Sequence, residues 1–207
     1  MRARDIMTSP VVTVTTATAV KAAARQLAER GFTALPVIDP DDGDRLVGIV
    51  TEADLVRDRF PRDPRYRHPD EFADDRRPTP AKTVGEVMST PVTAMAGGAD
   101  VVDLVTAMLS SRVRSMPIVD GSTVIGIVTR RDLLIALARD DQAIATDVRH
   151  RLQMYGGLNR WTVSVTDGAV SISDTFDDAT DRHVATVLAE AVPGVTAVDV
   201  TSERSGS

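Results

Sequence analysis

Three blocks of sequence occur twice, in the same order, and this duplication limits the fold more than any other feature of the 207-residue chain. Asp5-Ile6-Met7-Thr8-Ser9-Pro10-Val11 is matched by Glu86-Val87-Met88-Ser89-Thr90-Pro91-Val92, 81 residues later. Leu35-Pro36-Val37-Ile38-Asp39 is matched by Met116-Pro117-Ile118-Val119-Asp120 at the same offset. Val47-Gly48-Ile49-Val50-Thr51-Glu52-Ala53-Asp54-Leu55 then pairs with Ile125-Gly126-Ile127-Val128-Thr129-Arg130-Arg131-Asp132-Leu133 at an offset of 78. The slip falls in Pro40-Asp41-Asp42-Gly43-Asp44, a turn that Gly121-Ser122 shortens in the second copy. A length change confined to a turn, with register held on both sides, is what two copies of one fold produce.

Each copy reads as β-α-β-β-α. A short β-branched strand, Val11 to Val14 or Val92 to Met95, precedes a helix. In copy one the helix is expected over Ala17 to Arg30, with Val20, Ala23, Ala24 and Leu27 on one face and Gly31 as its stop. Copy two offers Val101, Val102, Val105, Met108 and Leu109 for the same face. Two strands follow in copy one, around Leu35–Asp39 and Arg45–Thr51, and then a helix from Glu52. One copy alone leaves a face of its sheet uncovered, so the two are expected to pack as a pair.

The Thr-x-x-Asp step carries chemistry of its own. Thr51 and Asp54, and likewise Thr129 and Asp132, follow a strand and open a helix. A hydroxyl and backbone N–H groups at such a start suit a phosphate. A carboxylate one turn later can accept both hydroxyls of a ribose. The same spacing is the capping box of an ordinary helix start, and the two roles can coexist. The copies differ in charge: Arg130 and Arg131 stand between Thr and Asp in copy two, with Arg114-Ser115 ahead of Met116-Pro117. Copy one has Glu52-Ala53 and Thr33-Ala34 there. Guanidinium forks match phosphate oxygens and a Glu repels them. The Asp132 side is therefore expected to hold a phosphorylated ligand more strongly, and the Asp54 side to stand empty or to take a less anionic one. Exposed arginines that merely solvate a surface are the alternative.

The M-x-x-P-V opening, L-P-V-x-D middle and G-I-V-T-x-x-D-L close resemble a CBS (cystathionine beta-synthase) domain. Two in tandem resemble a CBS pair, or Bateman module, over roughly residues 1–139. The resemblance implies a regulatory module that binds AMP, ADP, ATP or S-adenosylmethionine, requires no cofactor, and forms a disc-like homodimer. It also implies that Val11 and Val92 contact the adenine base. The nucleotide-binding candidates are thus Thr129, Asp132, Arg130, Arg131, Arg114, Ser115, Val92, Thr51, Asp54, Thr33 and Val11.

The remaining chain divides by composition. Residues 59–82, between the copies at 1–58 and 83–139, are rich in Pro and charge and read as an irregular loop. It is either a solvated connection or a flap over a nucleotide or partner, with arginines for phosphate. From residue 140 the pattern changes. Ile144, Val148 and Leu152 share a helix face ending near Gly156-Gly157, and Trp161, Val163 and Val165 alternate as a strand. Asp167-Gly168 turns the chain into a second strand carrying Val170 and Ile172. A helix with Ala179, His183, Val184, Val187, Leu188 and Ala191 then precedes a strand from Val195 to Val200. This α-β-β-α-β segment, 140–203, resembles a BON domain in Val165-Thr166-Asp167-Gly168-Ala169-Val170 and Val192-Pro193-Gly194-Val195, leaving a tail at 204–207. The resemblance implies attachment to a membrane or phospholipid; Asp174 stands where that family often has Gly. The fold class is therefore α+β, two CBS-type repeats plus a small BON-like domain.

Charge bears on the partners. The net charge is -6, yet residues 1–139 balance and all of it falls in residues 140–207, with 5 basic and 11 acidic side chains. Such a segment is repelled by anionic lipid, and an acidic chain lacks the basic face of a nucleic-acid binder. There is no Cys, and His68, His150 and His183 are isolated, so no thiolate, metal or nucleophile constellation is expected. No phosphate-binding glycine loop or nucleophile elbow occurs, and an enzyme is not expected. No apolar run reaches the ~18 residues of a membrane span, and the start has no signal-peptide core, so the chain is expected in the cytoplasm. Three readings follow: an adenine-nucleotide sensor relaying to a protein partner, a ligand-independent dimerisation scaffold, and a peripheral membrane adaptor.

Overall fold

The computed structural model, which describes residues 1–60, 65, 79–176 and 178–202, folds each repeat in the expected order. Copy one runs β1 (Val14–Thr15), α1 (Val20–Arg30), β2 (Ala34–Asp39), β3 (Arg45–Thr51) and α2 (Glu52–Val56). Copy two runs β4 (Met95–Ala96), α3 (Val101–Ser110), β5 (Ser115–Asp120), β6 (Thr123–Thr129) and α4 (Arg130–Leu137). The strands form one sheet, ordered β1-β2-β3-β6-β5-β4. Its two ends repeat each other, because Val14 opposes Val37 just as Met95 opposes Ile118. The copies join where Arg45 pairs with Thr123, and Leu46 N–H donates to Ser122 O at 2.9 Å. Arg45 and Thr123 are equivalent positions of the repeat, so the expected pairing of the copies runs through that join.

The chain forms two compact units. The sheet unit is Ser9–Ala96 with Arg112–Ile127; the C-terminal unit is Met1–Thr8, Gly97–Ser111 and Val128–Ser207. In the sheet unit Val20, Ala23 and Leu27 of α1 pack with Leu35, Val37 and Val50 of the sheet. Burying one such Val or Leu contributes roughly 1.5–3 kcal/mol. Gly31 ends α1 in the left-handed region, at φ 65°, as its position after Arg30 predicts.

Several expectations are corrected. α1 starts at Val20, not Ala17, because the Thr18 hydroxyl accepts the Thr15 N–H at 3.0 Å and holds residues 15–18 in a turn. Ala24 is exposed, since the buried stripe is only 20, 23 and 27. In α3 the buried residues are Val101, Leu104 and Met108, whereas Val102 is 71% and Leu109 61% exposed. The opening strands are short: the segments after Pro10 and Pro91 reach the ladder only at Val14–Thr15 and Met95–Ala96. The 59–82 loop and the 204–207 tail lie mostly or wholly outside the described residues, and so does its proposed arginine role, except that Arg59 donates to Ala81 O at 2.6 Å.

Within the C-terminal unit, α5 (Asp141–Gly156), β7 (Trp161–Thr166), β8 (Ala169–Asp174), α6 (Ala179–Glu190) and β9 (Ala197–Ser202) give the expected α-β-β-α-β order. The sheet is β7-β8-β9, antiparallel then parallel. Asp167 and Gly168 take φ 49° and 76°, as a two-residue hairpin turn with the strand twist requires. The Asp141 carboxylate accepts both of their N–H groups, at 2.8 and 2.9 Å. Ile144, Val148 and Leu152 join Val163, Val170 and Ile172 in the core. α6 buries Ala185 and Ala189, while His183 and Val187 are exposed, contrary to the expected face. β9 begins at Ala197 because Val195 N–H turns back to Val192 O. Among the described residues no helix is long and apolar enough to cross a membrane.

Asp174 closes β8 in full burial. Arg160 grips it with two hydrogen bonds, 2.8 and 2.7 Å, and also reaches Asp181, which Tyr155 OH contacts at 2.7 Å. The guanidinium lies over Trp161 and Phe176, 4.3 and 5.0 Å from the ring centroids. The Arg160 bonds hold the Asp174 carboxyl below the usual carboxylate range, against the burial that acts the other way. That depressed value makes the stabilisation complete above pH ~4, and it is lost as pH falls through the folded value. Asp174→Ala is expected to destabilise the domain by about 3 kcal/mol. Thermal melts should show Tm falling below about pH 4, with a smaller fall in Asp174→Asn.

Candidate functional site

Each repeat sends its opening block to the other copy. Ile49 of β3 and Ser89 exchange backbone hydrogen bonds of 3.2 and 2.8 Å. Val84 N–H donates to Thr18 O and Gly85 N–H to Thr16 O, at 2.8 and 2.9 Å. Conversely, Ala3 N–H donates to Ala99 O at 2.9 Å and the Ser9 hydroxyl to Ile125 O at 3.0 Å. Gly48 makes the crossing on β3 possible. A Cβ there would stand 2.6 Å from Met88 Sδ and 3.2 Å from Ser89 O.

The exchange builds a cavity of about 440 Å³ in the sheet unit. Copy one supplies Thr33, Ile49, Thr51, Glu52 and Ala53; copy two supplies Ser89, Pro91, Val92, Thr93 and the run Arg112–Ser115. The Thr33 and Ser115 hydroxyls are 3.2 Å apart, tying the two β-strand starts together. Ile49, Pro91, Val92 and Val113 give the cavity an apolar wall; hydroxyls, two arginines and Glu52 complete it. Such a lining suits a flat apolar group joined to an oxygen-rich, charged one.

The candidates divide as follows. Thr33, Thr51, Val92, Arg114 and Ser115 line this one cavity, so Arg114, Ser115 and Val92 are grouped with Thr51 and not with Thr129. Asp54, buried, lines a separate cavity of about 270 Å³ with Arg57, Arg59 and Glu86. Its Oδ2 accepts the Thr51 N–H at 2.9 Å and the Thr51 hydroxyl at 2.7 Å. Thr129 and Asp132 repeat this capping box at 2.7 and 2.7 Å, and the Thr8 hydroxyl reaches Asp132 Oδ1 at 3.4 Å. Thr129, Arg130, Arg131 and Asp132 belong to the C-terminal unit; Val11 is half-buried in the sheet unit. Arg130 lines an apolar cavity there with Leu133, Leu134 and Leu137. The cap reading is present in both copies, while each Oδ1 keeps capacity for a further donor.

Sequence reasoning missed Ser89, Thr93 and Arg112. The repeat itself offered a clue to Ser89, which is aligned with Thr8, and both hydroxyl residues belong to the exchanged block. Arg112 has φ 54°, a left-handed position in the turn after α3 that no local pattern announces.

The model of the CBS domain family matches residues 3–59 and 84–139. The chain belongs to the CBS domain family. An uncharacterized protein of Methanocaldococcus jannaschii is 29% identical over 133 residues, which cover 64% of this chain but 31% of that protein. The crystal structure of CBSX2 in complex with AMP is 28% identical, with a TM-score of 0.53, over 66% of this chain and 95% of that one. The CBS domain pair of protein MJ0100, in complex with 5′-methylthioadenosine and S-adenosyl-L-methionine, is 25% identical, with a TM-score of 0.50, over 65% and 94%.

The CBS boxes also carry stability. Thr51→Ala removes the hydroxyl that caps α2 and accepts the Asp54 N–H, and should cost about 1 kcal/mol. Urea denaturation of the full chain, compared with Thr51→Ser, measures it: the serine variant should retain most of the stability.

Proposed function

We propose that this CBS protein is a non-enzymatic, cytoplasmic regulator whose repeats, at 1–58 and 83–139 with the 59–82 connection, bind an adenosine-containing ligand. The observation that carries this is the Thr51 cavity, where two copies converge an apolar wall, five hydroxyl residues and two arginines on one space. The AMP, methylthioadenosine and S-adenosylmethionine held by the CBS pairs of CBSX2 and MJ0100 support that ligand class. Val92 packs the base, the hydroxyls of Ser115 and Thr33 take ribose or phosphate oxygens beside Arg114, and the Thr51 hydroxyl, whose proton goes to Asp54, accepts from a ribose hydroxyl. Asp54 holds the Thr51 hydroxyl in place. Thr129, Arg130, Arg131 and Asp132 serve a second site in the C-terminal unit, where Asp132 Oδ1 takes a ribose hydroxyl, and Val11 of the sheet unit is a further candidate contact for a base.

The response passes through α4 to the domain at 140–203, read as BON-like, and on to a protein partner. Contacts at the end of α4 support that route. Arg139 donates to Pro193 O at 2.8 Å and pairs with Asp147 at 2.6 Å. A Cβ on Gly194 would stand 3.0 Å from Ala136 O, so backbone meets backbone there. Assembly as a homodimer is supported by the exposed Val102, Leu109, Leu134, Ile135 and Leu137 of α3 and α4, an unusual cost for a lone chain.

A thermal-shift panel of AMP, ADP, ATP and S-adenosylmethionine tests the reading. A ligand at 100 times its Kd should stabilise the full chain by about 2.7 kcal/mol, and Arg114→Ala should reduce the shift. No stabilisation by any of the four favours a ligand-independent scaffold.

A further inference from the structure

The charges lining the Thr51 cavity are of both signs. Copy two contributes Arg112 and Arg114, and copy one contributes Glu52. Among the described residues none of the three is engaged in an ion pair or a side-chain hydrogen bond. Glu52 is also the point at which the repeats differ most sharply, because its equivalent at offset 78 is Arg130. The exchange of opening blocks thus brings arginines from one copy to the acidic position of the other. A polyphosphate would satisfy the guanidiniums while meeting Glu52 with like charge. A zwitterionic tail satisfies both: its carboxylate matches a guanidinium fork, and its ammonium or sulfonium matches Glu52.

Resting on the adenosine-ligand reading above, we infer that Glu52 is a specificity-determining residue. It makes the Thr51 cavity prefer an adenosyl group with a zwitterionic amino-acid tail over a nucleoside polyphosphate. The selection is against excess negative charge as much as for the cation, so neutralising Glu52 should move the two ligands in opposite directions.

Isothermal titration of the full chain with S-adenosylmethionine, AMP and ATP provides the test, on wild type, Glu52→Gln, Glu52→Lys and Arg114→Ala. Glu29→Gln, an exposed site on α1, serves as the control. Wild type should bind S-adenosylmethionine more tightly than ATP. Glu52→Gln should weaken the first and tighten the second by about fivefold each, the range of a partly exposed charge contact. Glu52→Lys should move both further, and Arg114→Ala should weaken both ligands. Ligand-free melts equal to wild type would confirm that the Glu52 variants fold. If ATP or AMP binds wild type more tightly, or the preference is the same with and without Glu52, the inference is overturned while the adenosine reading stands. If none of the three ligands binds wild type, both are overturned.

Discussion

The backbone bridge between Ile49 and Ser89 is the contact on which the cavity depends. It seats the opening block of copy two against β3 of copy one, where Gly48 leaves room for Met88 and Ser89. Without that crossing, Thr51 would face only residues of its own repeat. With it, one hydroxyl-rich space draws on both repeats, and neither copy can build it alone. A tandem duplication thereby builds a cavity that a single copy lacks. It also acquires a reason to keep both copies on one chain, because joining them raises the effective concentration of each block for the other.

The capping boxes show how one residue pair supports both fold and site. Asp54 and Asp132 each spend Oδ2 on the N–H and hydroxyl of the preceding Thr. Those bonds fix the threonine rotamers, so the hydroxyls are oriented before any ligand arrives. Preorganisation of this kind removes part of the entropy cost of binding. Sequence reading allowed capping and binding to coexist, and the capping bonds are present in both copies.

Local periodicity made the elements legible, and its limits are equally physical. β3 over Arg45–Thr51 and the Asp167-Gly168 hairpin follow from alternation and turn chemistry alone. The face of α3 did not, because Val101, Leu104 and Met108 form one apolar stripe while Val102 and Leu109 form another, and composition does not tell which is buried. The partnership of Arg114 with Thr51 was hidden for a different reason. Sequence neighbours suggest that a repeat completes its own site, and an exchange of segments between repeats leaves no local trace. Asp174 is a similar case: an acid in a strand reads as a surface residue until Arg160, 14 positions earlier in the chain, is found against it.

The uneven charge of the chain acquires a sense from these contacts. The acidic excess of residues 140–207 is partly consumed internally, since Asp174 and Asp181 share Arg160, and Asp140, Asp141 and Asp178 accept backbone N–H groups at helix starts and a turn. What remains is exposed acid on a domain bound to α4 through Arg139. A surface of that sign is repelled by an anionic bilayer. The short helix that Thr129 caps is followed by Arg139, which ties its end to Pro193 and Asp147.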